Sequence, residues 1–102
     1  MQTISAEELK TKIDAGENLH LIDVREPHEN AEFNIGGLLI PLGKVQTLQI
    51  DEIEDFKNEE VVVYCRSGNR SGQACQIFEM AGFTNVKNLT GGMLNWREQF
   101  KV

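Results

Sequence analysis

The sequence predicts an α/β domain: an open, mostly parallel sheet with helices on both faces, three layers in a single domain spanning residues 1–102. Three observations lead there. Apolar segments of strand length alternate with segments of helical periodicity, and the connections between them are too short to hold a second domain. The third is the run Val61-Val62-Val63-Tyr64, which is apolar without interruption. Such a strand suits burial on both faces, as in the middle of a parallel sheet. With 102 residues and 40% apolar content, the chain can bury one core without disulfides or metal.

The elements follow in order. Ser5 and Glu8 have the spacing of a capping box, and Ala6, Leu9 and Ile13 then share a face, so a first helix is expected over residues 5–15, stopped by Gly16. Leu19, Leu21, Ile22 and Val24 make a short strand. Asp23 and Arg25 close it at its carboxyl end, where sites gather in parallel sheets. Glu26-Pro27-His28-Glu29 opens a helix, with proline in the first turn and acids suited to the dipole. Gly36 and Gly37 mark a turn, Leu38-Leu39-Ile40 a short strand ended by Pro41. From Lys44 to Phe56 a helix is expected, with Val45, Leu48, Glu52 and Phe56 on one face. Beyond Val61-Val62-Val63-Tyr64, a helix starting near Ser71 carries Ala74, Ile77, Phe78 and Ala81. Gly82 is its left-handed cap, with Phe83 packing back. Val86 to Leu89 is a further strand, and Thr90-Gly91-Gly92 opens a last helix with Met93, Leu94, Trp96 and Phe100.

The segment carrying chemistry is Cys65-Arg66-Ser67-Gly68-Asn69-Arg70-Ser71, which leaves the carboxyl end of the central strand and enters a helix N-terminus. Free backbone amides and the helix dipole favour an anion there. Arg66 and Arg70 add fixed positive charge, and Gly68 lets the chain curl so that successive amides converge on one point. Electropositive surroundings of this kind lower a thiol pKa, so Cys65 is expected to be a thiolate nucleophile rather than a small buried apolar residue. Arg66, Ser67, Gly68, Asn69, Arg70 and Ser71 are the candidate substrate-binding residues. Ser67, Asn69 and Ser71 are also suited to shaping the turn or capping the helix. Asp23 and Arg25 are expected to support the site as a buried charge pair. Cys75, on the following helix, reads as packing, and His20 and His28 as ordinary histidines without a metal partner.

At this point the loop resembles the active-site loop of single-domain rhodanese-like sulfurtransferases. Three more segments match in the family's order: Leu21-Ile22-Asp23-Val24-Arg25-Glu26, the stretch from Glu32 to Leu42, and Gly91-Gly92-Met93-Leu94-Asn95-Trp96. The resemblance covers nearly the whole chain and implies the same three-layer fold. It further implies that Cys65 takes sulfane sulfur from thiosulfate or a similar donor, holds it as a persulfide, and passes it to a thiol, cyanide or a partner protein's cysteine. In that cycle Arg70 and the loop amides stabilise the terminal sulfur, Arg66 holds the donor's sulfonate, and no cofactor or metal takes part. One departure is visible: family members usually carry His then Ile-Pro-Gly where this chain has Asn34, Ile35, Gly36 and Gly37. It bears on a local turn more than on the chemistry.

Two other readings stand beside this one. The first is a sulfur-carrier module with little turnover on free thiosulfate. The second is a cysteine-dependent phosphatase or arsenate reductase, whose loops are similar but hold one more residue than the four between Cys65 and Arg70. The shorter ring suits a single sulfur better than a tetrahedral oxyanion.

Composition narrows the partners. A formal charge of −6 argues against nucleic acid or an anionic membrane surface, both of which need a basic face. Only Cys65 and Cys75 are present, with nine residues between them, which is neither a disulfide framework nor a zinc pattern. No apolar run reaches the roughly 20 residues that span a bilayer, and the first residues lack a signal peptide's basic start and apolar core. A reducing cytoplasm is the expected compartment.

Overall fold

The computed structural model describes residues 1–101. Its strands are β1 (Gln2–Ile4), β2 (His20–Asp23), β3 (Leu38–Leu39), β4 (Val61–Tyr64) and β5 (Val86–Leu89); its helices are α1 (Ala6–Asp14), α2 (Pro27–Glu32), α3 (Leu42–Gln46), α4 (Asn69–Met80) and α5 (Gly92–Phe100). The strands form one five-stranded sheet in the order β1-β5-β4-β2-β3, and every neighbouring pair is parallel. β4 is therefore central, flanked by β2 and β5, as its unbroken apolar run requires.

Alternation along β4 divides the core. Val61, Val63 and Cys65 face α3 and α4, where they pack with Val45, Ala74, Cys75 and Phe78. Val62 and Tyr64 face the other layer, with Leu9 of α1 and Met93 and Trp96 of α5. This period-two division fixes the side on which Cys65 emerges.

Local signals explain most boundaries. Ser5 Oγ accepts from the Glu8 amide at 3.1 Å and Glu8 Oε1 accepts from the Ser5 amide at 3.1 Å, closing the capping box of α1. Pro27 opens α2. Gly82, at φ +104°, ends α4: the Phe83 amide donates to Phe78 O at 3.0 Å and the Gly82 amide to Glu79 O at 3.1 Å. The Phe78 and Phe83 rings then meet at 5.3 Å. This paired pattern satisfies carbonyls that a helix end would leave bare.

The stretch expected as one helix from Lys44 to Phe56 is instead two pieces. α3 ends at Gln46, Leu48 takes a left-handed conformation at φ 57°, and a 3₁₀ segment covers Asp51–Phe56. The break turns Ile50 and Ile53 into the core and leaves Leu48 exposed. A continuous helix would have kept those isoleucines partly off its buried face, so core burial overrode the local periodicity. β1 is an addition at the sheet edge, where Gln2, Thr3 and Ile4 pair with Lys87, Asn88 and Leu89. α4 begins at Asn69, two residues before the expected start. At the departure segment, Gly36 and Gly37 have φ +99° and +87°, and the Tyr64 hydroxyl donates to Gly36 O at 2.9 Å. A Cβ on Gly37 would collide with the Leu21 carbonyl, so this turn needs glycine for space as well as for φ.

Candidate active site

Cys65 follows the last residue of the central strand, with its sulfur turned toward the α4 layer and its residue only 1% exposed. The chain leaves β4 and turns at Gly68, whose φ of +101° is a left-handed conformation that costs glycine little. Gly68 has no side chain with which to cap α4. The cysteine sulfur takes that role: the Gly68 amide donates to Cys65 Sγ at 3.1 Å and the Ser71 amide at 3.3 Å. The sulfur thus occupies the anion position at the head of α4, among donors the helix cannot satisfy internally.

Burial pushes the Cys65 thiol up, and the hydrogen bonds gathered at the sulfur, those with Ser71 and those from the amides of Gly68 and Ser67, outweigh it, so the thiol lies below its ordinary value of 9.0. Cys75 has the opposite surroundings. It is fully buried in the core, and burial, with a smaller contribution from the Glu79 charge, pushes it up to about 12. Cys65 is the cysteine placed to ionise, and Cys75 packs.

A second helix also points its N-terminus at the loop. Gly91 and Gly92, both at positive φ, open α5 so that the Met93 amide donates to Cys65 O at 2.9 Å and the Leu94 amide to Arg66 O at 3.0 Å. α4 therefore holds the sulfur while α5 holds the two carbonyls behind it.

The two loop arginines differ in their surroundings. Arg70 makes a bidentate pair with Glu29 of α2, at 2.7 and 2.9 Å, so much of its charge is already matched. Its hydrogen bonds, against the opposing effect of burial, hold the Glu29 carboxyl at about 2, with help from the Glu26 amide. Arg66 is exposed, and among the described residues no ion pair or hydrogen bond occupies its guanidinium. It lines a cleft of about 210 Å³ that also receives Arg25, His28, Glu29, Phe33, Met93 and Arg97.

Because the Glu29 carboxyl is depressed from 4.5 in the unfolded chain to about 2 in the fold, its stabilising contribution is present above pH ~4.5 and is lost as pH falls toward 2. Glu29→Gln is accordingly expected to cost about 0.5–1 kcal/mol at pH 7, the pair being partly solvated. Denaturant titrations of the two proteins should converge as the pH approaches 2.

Asp23 and Arg25 brace the neighbouring layer. Arg25 Nε donates to Asp23 Oδ1 and Arg25 Nη2 to Asp23 Oδ2, both at 2.9 Å, in a buried fork. Arg25 Nη2 also donates to Phe33 O at 2.6 Å, and Asn30 Nδ2 donates to Asp23 Oδ2 at 2.9 Å. The pair thereby ties the carboxyl end of β2 to the middle and the C-terminal cap of α2. His20 stacks on Phe56 at 3.7 Å and its Nε2 lies 2.9 Å from Glu59 Oε1, far from the loop in the sheet's opposite sense. Among the described residues, no group of three or more His, Cys, Asp or Glu converges to hold a metal ion. Among the described residues, no helix is long and apolar enough to cross a membrane.

One residue of the site is absent from the sequence reading. Asn88 of β5 donates through Nδ2 to Gly68 O at 3.0 Å and meets Ser71 Oγ at 2.5 Å through Oδ1. Nothing local marks it, since it lies seventeen residues beyond Ser71 and reaches the loop only because β5 pairs with β4. A polar residue at a core-facing strand position, between Val86 and the loop, was the available signal.

The fold and the site together define a parallel α/β domain whose central strand ends in a cysteine held by helix-terminal amides. Comparison with known proteins narrows that class. The rhodanese-like domain matches residues 5–99, and the chain belongs to that family. It is 37% identical over 94 residues to a sulfurtransferase of Allochromatium vinosum, covering 91% of this chain and 85% of that one. It is 38% identical over 94 residues to YrkF of Bacillus subtilis (strain 168), covering 91% of this chain but only 49% of YrkF, so it spans about half of that protein. The crystal structure of a rhodanese-like domain protein from Staphylococcus aureus superposes with a TM-score of 0.82 at 29% identity, over 94% of this chain and 91% of that one.

Proposed function

We propose that the protein is a sulfurtransferase that carries sulfane sulfur on Cys65. The observation supporting this most directly is the convergence of the Gly68 and Ser71 amides on Cys65 Sγ, at 3.1 and 3.3 Å, at the end of the central strand. The kinship with rhodanese-like domains, and the name of the relative from Allochromatium vinosum, point the same way.

In this reading the Cys65 thiolate attacks the outer sulfur of thiosulfate or a comparable donor. A new S–S bond forms at Sγ, the donor's S–S bond breaks, and sulfite leaves with the electron pair. Cys65 is left as a persulfide whose terminal sulfur bears the negative charge. The loop amides, already oriented, stabilise that anion without reorganising, which is the economical way to favour a developing charge. Arg66, unpaired on the cleft wall, holds the donor's sulfonate through its planar donors in this reading. Arg70 acts through its pair with Glu29, keeping the head of α4 in place and adding residual positive potential. An acceptor thiolate or cyanide then attacks the terminal sulfur and releases the Cys65 thiolate.

Turnover with thiosulfate is to be measured against turnover with small-molecule and protein persulfide donors, following sulfite release and acceptor sulfuration. The expected result is sulfite released in step with product when thiosulfate is the donor. Absence of sulfur transfer from every donor would overturn the reading, whereas transfer from protein persulfides alone would assign the chain to the sulfur-carrier role.

A further inference from the structure

Asn88 and Ser71 present a problem of proton accounting beside Cys65. Asn88 lies on the α4 face of β5 and is 8% exposed; Ser71 is fully buried. Gly68 O, a carbonyl, can only accept, so the Asn88 atom facing it at 3.0 Å must be the amide nitrogen. The amide is thereby oriented, and Oδ1 faces Ser71 Oγ at 2.5 Å. An amide oxygen also only accepts, so the Ser71 hydroxyl must donate to it. A serine hydroxyl has one proton. With that proton on Asn88, Ser71 turns a lone pair toward Cys65 Sγ at 3.3 Å, and this contact suits an S–H donor rather than a thiolate.

We propose that Asn88 is a positioning residue that holds the single Ser71 proton away from Cys65 Sγ, leaving the working thiolate to backbone donors alone. This rests on Cys65 being the nucleophile. For the hydroxyl to stabilise the thiolate, it must leave Asn88 Oδ1 buried without a partner, which offsets most of the gain. A thiolate with fewer donors is also the stronger nucleophile. Once sulfur is loaded, Sγ is a neutral, divalent atom that needs no donor, and the Ser71–Asn88 hydrogen bond is fully compatible with it. The arrangement therefore favours the loaded cysteine over the resting thiolate.

The groups that bear on this titration are few. Arg70 of α4 acts on Cys65 but is matched by Glu29 of α2, and Cys75 lies on the same helix. Arg66 stands on the loop, and β2 brings Asp23 tied to Arg25. None of them is altered by the substitutions below.

The test is the pH dependence of Cys65 alkylation by iodoacetamide, read by mass spectrometry of the Cys65 peptide in the full chain. Asn88→Leu frees the Ser71 proton for the sulfur. The alkylation midpoint should fall by about one pH unit, a tenfold larger thiolate fraction below the midpoint, while the plateau rate falls about threefold. Ser71→Ala alone should leave the midpoint within about half a unit, and Ser71→Ala with Asn88→Leu should show no fall. A midpoint that stays or rises in Asn88→Leu would mean that Asn88 merely clamps Gly68, and would overturn the proposal. A rise of about one unit in Ser71→Ala would overturn it too, because the hydroxyl would then already be donating to the thiolate. That second arm decides alone if Asn88→Leu does not fold. Alkylation needs no sulfur donor, so failure of sulfur transfer and failure of this proposal remain separate results.

Discussion

Replacing Cys65 by serine is expected to abolish both sulfur loading and turnover, whereas replacing Cys75 by serine should leave turnover within a few-fold. Only Cys65 sits among converging amide donors; Cys75 is buried in the core with its thiol pushed up to about 12. Since the thiolate is the reactive form, the two cysteines differ in reactivity by their surroundings and not by access alone. Incubation with thiosulfate should add the mass of one sulfur atom to the Cys65 peptide of the wild type and none to the Cys75 peptide. Cys75→Ser should cost about 1–3 kcal/mol of stability, because it puts a hydroxyl into an apolar site. Two results would change the mechanism. Turnover surviving in Cys65→Ser would remove the persulfide cycle, and turnover lost in a folded Cys75→Ser would make Cys75 a resolving cysteine.

The second large effect is expected at Gly92, far from any reacting atom in sequence but pressed against the back of the loop. A Cβ there would lie 2.5 Å from Cys65 O and 2.6 Å from both the carbonyl carbon and oxygen of Arg66, all of them backbone atoms that cannot swing aside. Gly92 also has φ +55°, which adds conformational strain for any other residue. Gly92→Ala should therefore destabilise the fold by roughly 2–4 kcal/mol and lower Tm by roughly 10–25 °C. Because relief of the clash must move the carbonyls that α5 holds, the sulfur beside them moves as well. A displacement near 1 Å at a reacting group costs roughly 10²-fold in rate. Gly16→Ala is the control, with φ +70° and nothing within 4 Å of the added carbon. It should cost only about 1 kcal/mol and leave sulfur transfer intact, so equal losses in the two variants would refute the packing argument.

What the sequence by itself determined lies where neighbours along the chain supply the physics. The unbroken Val61–Tyr64 run marks a doubly covered strand, Ser5 and Glu8 cap a helix through atoms three residues apart, and Gly82 with Phe83 ends another by hydrogen bonds inside one turn. The Cys65–Ser71 loop was legible for the same reason, since the sulfur, the glycine and the amides it gathers lie within seven consecutive residues. Tertiary structure decided whatever depends on strand order. Gln2, Thr3 and Ile4 carry little strand signal and extend the sheet only because β5 offers a free edge. The helix expected over Lys44 to Phe56 gave way at Leu48 because Ile50 and Ile53 gain more by turning into the core than a continuous helix gains along its axis. The Glu29–Arg70 pair joins residues forty-one positions apart, and Asn88 reaches Ser71 across the β4–β5 pairing. Periodicity records which face a residue turns toward, whereas the partner waiting on that face is chosen by topology, and around Cys65 that choice decides which hydrogen-bond donors the sulfur can use.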